Sequence, residues 1–208
     1  MSSPDSRHLD LGCGERPRNP YGRQALDGLD VMVPREPLAG VAFHAADLSW
    51  QPIPFEAGAF DSVSAYDFVE HVPRHALVTR DGRTQSISPF VELMNEVWRV
   101  LKPGGLFLAV TPCFPAPDVF TDPTHVNVIT KSTHKYFCGE NCLGRAYGFR
   151  GNFEAVTARF GEPADWRAAP FHPGASDAFR QFVHKFIRPR YSHFVWELRA
   201  VKQGGSGP

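Results

Sequence analysis

Short apolar runs alternate with longer amphipathic stretches along this chain, and the alternation predicts a parallel sheet with helices packed on it. Seven apolar runs have the length and composition of strands. They are residues 8–11, 25–31, 41–46, 62–66, 106–111, 153–160 and 194–201. We therefore predict an α/β fold with a mostly parallel sheet of about seven strands and helices on both faces.

The clearest predicted helix spans residues 90–101, where apolar side chains recur at steps of three or four positions. These side chains are Phe90, Leu93, Met94, Val97, Val100 and Leu101. Pro103, Gly104 and Gly105 follow and are expected to end the helix. A second apolar stripe with helical spacing lies within residues 178–187, which is typical of core or lid packing.

Composition narrows the possible partners. The chain has 208 residues, of which 42% are hydrophobic, and this suits one globular domain, predicted over residues 1–203 with a flexible tail at 204–208. Lys plus Arg equals Asp plus Glu at 22 each, so no overall charge attracts nucleic acid or an anionic membrane. With no signal-peptide pattern or long apolar run, we expect a cytoplasmic protein. The oligomeric state stays open.

A glycine turn follows the first predicted strand and is the strongest chemical signal. Gly12 and Gly14 allow the backbone to approach a ligand closely. A dinucleotide-binding turn would need a third glycine where Pro17 stands, so a dehydrogenase is disfavoured. Asp10, just before the turn, would repel a pyrophosphate. It suits a cofactor that carries an amino group and a sulfonium charge, as S-adenosylmethionine does.

The sequence L-D-L-G-C-G at positions 9–14 resembles the first motif of the class I S-adenosylmethionine-dependent methyltransferases, with closest similarity to the small-molecule, type 11-like members. Further segments follow in the family's order. Residues 47–61 are similar to its D…LPF…FD stretch, residues 66–72 to the segment after its fourth strand, and residues 99–105 to the end of its main helix. The resemblance covers residues 8–112 and implies a Rossmann-like fold, S-adenosylmethionine as cofactor and methyl transfer as activity.

The resemblance also implies which residues hold the cofactor. Asp30 matches the acid that ends the second strand and binds the ribose hydroxyls, while Asp47 and Leu48 match the pair that contacts adenine. The full predicted set is Asp10, Gly12, Cys13, Gly14, Asp30, Val31, Asp47, Leu48 and Tyr66. Arg16 stands where the family usually has a third glycine, so the following loop is expected to run differently, with little room for a first helix.

The acceptor of the methyl group is expected to be a small molecule bound beyond the ends of the strands. Its lid is predicted to come from residues 73–89 and 112–192, in which D-P-T-H at positions 122–125 resembles a segment of some small-molecule members. An oxygen or nitrogen acceptor must lose a proton, and a neutral histidine suits that task. We rank His71 first as proton acceptor, then His125 and His134. Glu70 and Asp122 are possible orienting partners.

Alternatives remain. His134, Cys138 and Cys142 have a spacing that one helical face could gather around zinc, although a substrate-side loop without a metal is favoured and the four cysteines are interpreted as reduced thiols. A nucleic-acid methyltransferase is disfavoured because Ala65-Tyr66-Asp67-Phe68 replaces the box typical of adenine-modifying enzymes. An enzyme that uses another carbon of S-adenosylmethionine, or a non-catalytic scaffold subunit, would keep the same cofactor motifs.

Overall fold

The computed structural model describes residues 6–161 and 192–202, and its centre is a seven-stranded sheet. The strands of this sheet are β1 (Arg7–Leu11), β2 (Ala25–Asp30), β3 (Val41–Ala45), β4 (Phe60–Tyr66), β7 (Leu101–Pro112), β8 (Phe153–Gly161) and β9 (His193–Ala200). Their order across the sheet is β3-β2-β1-β4-β7-β9-β8. The intervening β5 (Ala76–Arg80) and β6 (Arg83–Ile87) form a separate hairpin.

The first five strands of the sheet run parallel, and β9 pairs antiparallel with both β7 and β8. This confirms the predicted α/β architecture, with each predicted strand in place. The largest difference in bounds is at β7, which begins at Leu101 instead of residue 106. Leu101 pairs with Phe60, and the register shifts between Phe60 and Ser62, so the Pro-Gly-Gly segment belongs to an irregular part of the strand.

Helix α1 (Pro89–Val100) confirms the predicted amphipathic helix, and Pro89 occupies its first turn. Its buried face joins a large apolar cluster with β1, β4, β7 and β9. Among residues 6–161 and 192–202, α1 is the only α-helix longer than one turn, because α2 (Asp118–Thr121) has four residues. We predicted helices on both faces of the sheet. In this part of the chain, α1 covers one face.

On the opposite face, a loop occupies the place expected for the first helix. Tyr21 in this loop packs against a small apolar cluster that contains Tyr66, and its hydroxyl donates a hydrogen bond to Glu197 Oε1 at 2.9 Å. The Arg18 guanidinium lies 4.3 Å from the centre of the Tyr66 ring. These contacts let the segment with Arg16, Pro17 and Pro20 cover the sheet without forming a helix.

The β5–β6 hairpin was predicted only as part of a lid segment. Asp81 and Gly82 both have positive φ, at 51° and 71°. This is the conformation of the two-residue turns that join the strands of a tight β-hairpin. The Asp-Gly dipeptide was therefore a readable hairpin signal. No helix in the described residues is long and apolar enough to cross a membrane. The predicted helix at 178–187 and tail at 204–208 lie outside the described residues.

Candidate functional site

A cleft of about 330 Å³ lies at the carboxyl ends of β1 to β4. We call it the glycine cleft, and its lining residues are Gly12, Leu29, Asp30, Val31, Ala46, Asp47, Leu48, Ser49, Asp67, Phe68, His71 and Val72. Parallel strands place the segments that follow them at one edge of the sheet, and this edge is where α/β proteins bind ligands. Five predicted cofactor residues line this cleft: Gly12, Asp30, Val31, Asp47 and Leu48.

Gly12 makes the turn at the edge of the glycine cleft. Its φ is 61°, and its N–H donates a hydrogen bond to the Leu29 carbonyl oxygen at 2.8 Å. A Cβ atom at this position would lie 2.4 Å from Phe68 Cδ2. Only glycine therefore satisfies both the backbone conformation and the close approach of Phe68, whose ring forms part of the cleft wall.

Asp30 ends β2 with its carboxylate tied to the same turn. Oδ2 accepts the Gly14 N–H at 2.8 Å, and Oδ1 accepts the Val31 N–H at 2.7 Å. Each carboxylate oxygen can accept a further hydrogen bond. The carboxylate is thus held in a fixed orientation at the cleft and retains capacity for two hydroxyl donors.

The end of β3 supplies the other wall of the glycine cleft. Asp47 Oδ1 accepts the Ser49 N–H at 3.0 Å, and the Asp47 N–H donates to Gln51 Oε1 at 2.7 Å, so the turn is closed by its own polar groups. Leu48 is buried, whereas Val31 on the facing strand end is 59% exposed. Apolar side chains beside a carboxylate suit a flat heterocycle that carries an amino group.

Asp10 lies beneath the loop instead of lining the glycine cleft. It is buried, and its carboxylate accepts the Ser64 hydroxyl at 2.5 Å and the Arg18 N–H at 2.7 Å. Burial raises the pKa of Asp10 to about 7, against hydrogen bonds that lower it. The predicted direct contact of Asp10 with the cofactor stays a prediction, while the structure shows that this carboxyl fastens the loop to the sheet.

Cys13, Gly14 and Tyr66 complete the predicted cofactor set but do not line the cleft. Cys13 Sγ lies where it would be 2.8 Å from a Cβ atom at Gly28, so it packs against β2. Gly14 has a φ of 56° and open space where its Cβ would be. Tyr66 belongs to the small apolar cluster near Tyr21, on the face of the sheet that α1 does not cover. The predicted cofactor contacts of these three residues stay predictions.

A second cleft of about 520 Å³ adjoins the first. We call it the histidine cleft, and its lining residues are Asp67, Glu70, Pro112, Asp118, Thr121, Asp122, Pro123, His125 and His193. Asp67 lines both clefts and has a φ of 47°, a conformation that few non-glycine residues adopt. The two clefts therefore meet at the end of β4.

Two of the three predicted histidines are brought together where the clefts meet. The ring centroids of His71 and His125 lie 4.8 Å apart, with the rings in an edge-to-face arrangement. His71 Nδ1 contacts the Thr124 hydroxyl at 3.0 Å and the Thr124 carbonyl oxygen at 3.3 Å. His125 Nδ1 lies 3.2 Å from the Val119 carbonyl oxygen. In each ring Nδ1 faces a backbone carbonyl, so Nε2 is the nitrogen that keeps a lone pair.

Glu70 lies beside this pair and is almost completely buried. Its Oε2 accepts the Thr111 hydroxyl at 2.9 Å, and its backbone oxygen accepts the N–H groups of Val126 and Asn127, which attaches the D-P-T-H segment to the end of β4. Its Oε1 has no hydrogen-bond partner among residues 6–161 and 192–202. Burial raises the pKa of Glu70 to about 8.

Residues 9–109 match a family model described as a methyltransferase domain. This part of the chain is therefore a class I S-adenosylmethionine-dependent methyltransferase domain. The cofactor of this domain is S-adenosylmethionine, and the chemistry of the glycine cleft is compatible with it: the cleft combines the oriented carboxylate of Asp30 with the apolar side chains of Leu48 and Val31. A search of curated proteins found no match.

Solved structures agree with this methyltransferase fold. A putative methyltransferase from Haloferax volcanii, in complex with the Trm112 methyltransferase activator, has a TM-score of 0.58 at 14% identity, over 95% of this chain and 84% of that chain. An S-adenosylmethionine-dependent methyltransferase from Mesorhizobium loti has a TM-score of 0.53 at 18% identity, over 93% and 90%. Geranyl diphosphate C-methyltransferase from Streptomyces coelicolor has a TM-score of 0.51 at 16% identity, over 97% and 74%. These likenesses show the fold.

His134, the third predicted proton acceptor, lies apart from the other two in this methyltransferase. It is 5% exposed, stacks on Phe194 at 5.8 Å between ring centroids and also contacts Trp196. Burial lowers the pKa of His134. It lines neither cleft, because it precedes β8 on the face of the sheet that α1 covers. Nor does it gather with Cys138 and Cys142 into a metal-ligating group among the described residues.

His193 is a site residue that the sequence reasoning missed. Its Nε2 lies 2.9 Å from Asp67 Oδ1, and its Nδ1 lies 2.6 Å from the Ser192 hydroxyl. It begins β9, which runs antiparallel, so the start of this strand lies at the edge where the parallel strands end. A polar residue at the start of an antiparallel last strand was the available signal, but it is readable only once the strand direction is known.

Proposed function

We propose that this chain catalyses transfer of the methyl group of S-adenosylmethionine to an oxygen or nitrogen atom of a small molecule bound in the histidine cleft, with sulfur as a third candidate atom. The observation that carries the proposal is the meeting of the two clefts. Asp67 lines both, while His71 lines the glycine cleft and His125 the histidine cleft, with their rings 4.8 Å apart. An acceptor in the second cleft would therefore adjoin a cofactor in the first.

The proposed roles follow from where each side chain lies. Asp30 holds the ribose hydroxyls, and Asp47 with Leu48 holds the adenine. Phe68 and Val72 form an apolar wall that excludes water near the reacting atoms. When bound, the cofactor supplies a methyl group on a positively charged sulfur: the acceptor's lone pair forms the new bond to carbon, the carbon–sulfur electron pair stays on sulfur, and the acceptor's proton leaves.

Positioning and exclusion of water supply much of the rate, because the leaving thioether is already a good leaving group. The residual task is removal of the acceptor's proton. His71 remains the first-ranked proton acceptor by its place at the junction of the clefts, with His125 next. Thr124, held by the Asp122 carboxylate at 2.6 Å, fixes the orientation of the His71 ring.

Product analysis tests the proposed function. The protein is incubated with S-adenosylmethionine and a panel of hydroxylated, amino and thiol-bearing small molecules, and the cofactor products are separated by mass spectrometry. S-adenosylhomocysteine, formed by the wild type and reduced in Asp30→Ala, is the expected result. Methylthioadenosine would instead show chemistry on another carbon of the cofactor. Cofactor binding without either product across the panel would favour a scaffold role and contradict the proposal.

A further inference from the structure

Three side chains that could ligate a metal ion converge where the two clefts meet. Glu70, His71 and His125 each offer a ligand atom within 4.8 Å of the others, and this is the only such group of three in the part of the chain that the structure describes. Ligand atoms that are about 2.0–2.2 Å from one ion lie roughly 3–4 Å from one another. Small side-chain movements would therefore bring the three atoms to coordinating distance.

The two imidazoles are already oriented as metal ligands usually are. A ligating histidine commonly donates its second ring N–H to a backbone carbonyl or a carboxylate, which fixes the tautomer and the ring. His71 Nδ1 faces the Thr124 carbonyl oxygen, and His125 Nδ1 faces the Val119 carbonyl oxygen. Both rings therefore retain the lone pair on Nε2, and both are held by backbone groups of neighbouring segments.

Glu70 gives an independent indication of a missing cation. It is 2% exposed, and its Oε1 is buried with no hydrogen-bond partner among residues 6–161 and 192–202, although Oε2 is paired with Thr111. A buried carboxyl oxygen without a partner is unfavourable whether the group is charged or neutral, and a bound cation would compensate it. The histidine cleft that Glu70 lines also contains Asp67, Asp118 and Asp122, so its charge favours a cation.

We propose that Glu70, His71 and His125 bind a first-row divalent transition-metal ion such as zinc, manganese or iron(II). Imidazole nitrogens favour these ions over magnesium or calcium, which prefer oxygen ligands. Three protein ligands leave coordination positions open toward the histidine cleft, where an oxygen atom of the acceptor would bind. This second step rests on the proposed function. It makes an acceptor with a hydroxyl group the favoured substrate class, because a bound ion lowers the pKa of that group.

The metal site gives His71 a role different from proton acceptor. An imidazole that donates through Nδ1 and binds an ion through Nε2 has no lone pair left to take a proton. The acceptor's proton then passes to solvent or to a carboxylate of the histidine cleft, and the ion stabilises the resulting oxyanion.

Direct metal binding tests this proposal without any methylation assay. The full chain is treated with a chelator, dialysed, and titrated with Co²⁺ while its visible absorption is recorded, with Zn²⁺ calorimetry as a second readout. Wild-type protein should bind one ion. Glu70→Gln and His125→Ala should each weaken binding at least about tenfold, the lower limit seen even for outer-shell changes. His75→Ala is the matched control, because His75 is an exposed histidine that contacts Ser86 on the hairpin.

The metal site would be overturned by the absence of any spectral change with Co²⁺, or by equal affinity for the ion in His125→Ala and the wild type. A sulfur-to-cobalt charge-transfer band would place the ion on cysteines and would also overturn it. His125 is only partly buried, so His125→Ala keeps the test valid if Glu70→Gln fails to fold. S-adenosylmethionine binding is measured separately on metal-free protein. Cofactor binding and turnover without metal binding would refute the metal site alone, whereas metal binding without methyl transfer would refute the proposed function alone.

Discussion

The glycine cleft and the histidine cleft differ in how their residues lie along the chain. The first is built from strand ends within residues 12–72, and its central carboxylate is fixed by Gly14 and Val31, 16 positions and one position from Asp30. The second joins segments that are remote in sequence. Glu70 and Thr111 are 41 positions apart, His71 and Thr124 are 53 apart, and Asp67 and His193 are 126 apart.

The glycine cleft lies entirely within residues 9–109, which match the methyltransferase model, whereas the histidine cleft also uses residues beyond them. Turns at successive strand ends fix the glycine cleft with local hydrogen bonds, so the same short motifs can build it in many sequences. The histidine cleft depends on where the D-P-T-H segment and the start of β9 pack.

The largest expected effect separates turnover from cofactor binding. His71→Ala and His125→Ala should each lower kcat by about 10²–10⁴-fold, the usual range for loss of a proton acceptor, and a loss of this size also fits removal of a metal ligand. The affinity for S-adenosylmethionine should stay close to that of the wild type, because Asp30 and Asp47 are untouched. Steady-state kinetics and calorimetry on the same preparations measure both quantities.

His71→Asn and His75→Ala are the controls for this comparison. Asparagine can keep a bracing hydrogen bond to Thr124 but cannot accept a proton near neutral pH. If His71→Asn turns over normally, His71 only braces the loop, and the histidine cleft loses its proposed chemistry. His75→Ala removes an exposed imidazole that lines neither cleft and should leave kcat unchanged.

A second effect concerns the buried network beneath the glycine cleft. His8 contacts Ser62 and Ser64 through its two ring nitrogens, each at 2.8 Å, and burial lowers the pKa of His8 to about 3. The unfolded chain takes up this proton near pH 6.5 while the folded chain does not. The contribution to stability is therefore complete above pH 6.5 and is lost as the pH falls toward 3. Between pH 7 and pH 5 the loss should be about 2 kcal/mol.

Urea unfolding at pH 7, 6 and 5 measures this loss in the wild type and in His8→Gln. Asp10, whose pKa is raised, acts in the opposite direction, so the difference between the two proteins at each pH is the quantity to compare. This difference in free energy of unfolding should shift in favour of His8→Gln as the pH falls. His75→Gln is the matched substitution at an exposed histidine. If the free energy of unfolding changes with pH in the same way in His8→Gln and the wild type, the loss of stability does not come from the lowered pKa of His8.

The third effect is on cofactor affinity. Asp30→Ala should weaken S-adenosylmethionine binding at least tenfold, about 1.4 kcal/mol, because two hydrogen bonds from ribose hydroxyls to a charged acceptor are lost. Asp27→Asn is the comparison, since Asp27 is buried and paired with Arg7 and His44, away from the cleft lining. It should lower stability more than affinity. Unchanged affinity in folded Asp30→Ala would remove Asp30 from the cofactor site.

The fold was predictable because each strand of the sheet is a local apolar run. Periodicity located α1, and glycine or proline marked the turns. The hairpin of β5 and β6 was missed because β6 is polar and exposed, and because β5 contains an apolar run of only three residues, Ala76 to Val78. The first helix of the usual fold is replaced by a loop, and the two prolines with the missing third glycine at Arg16 had already indicated this departure.

The two clefts were predictable to different degrees because the glycine cleft depends on strand ends, whereas the histidine cleft depends on contacts between remote segments. Gly12, Asp30 and Asp47 follow directly from strand ends, so their convergence needs only the strand order. The pairing of His71 with His125 needs the Glu70 backbone to hold residues 126 and 127, a contact that no local pattern encodes. His134 is also a histidine, but it packs against Phe194 in the core and therefore lies outside both clefts.

The smallest expected effect concerns the glycine turn, where it separates a backbone role of Gly14 in stability from a role in cofactor binding. Gly14→Ala should lower the free energy of unfolding by about 1–2 kcal/mol, because its φ of 56° is unfavourable for alanine. Apart from its two chain neighbours, no atom of residues 6–161 and 192–202 lies within 4 Å of the added Cβ, so the strain is confined to the backbone. Gly14→Asn should recover part of this stability, since asparagine tolerates the left-handed conformation better. If the cofactor passes beside Gly14, both variants should weaken S-adenosylmethionine binding although Gly14→Asn is less strained than Gly14→Ala. Recovery of affinity together with stability in Gly14→Asn would instead show that Gly14 serves the turn alone, and the cofactor-binding role would then rest on Gly12 and Asp30.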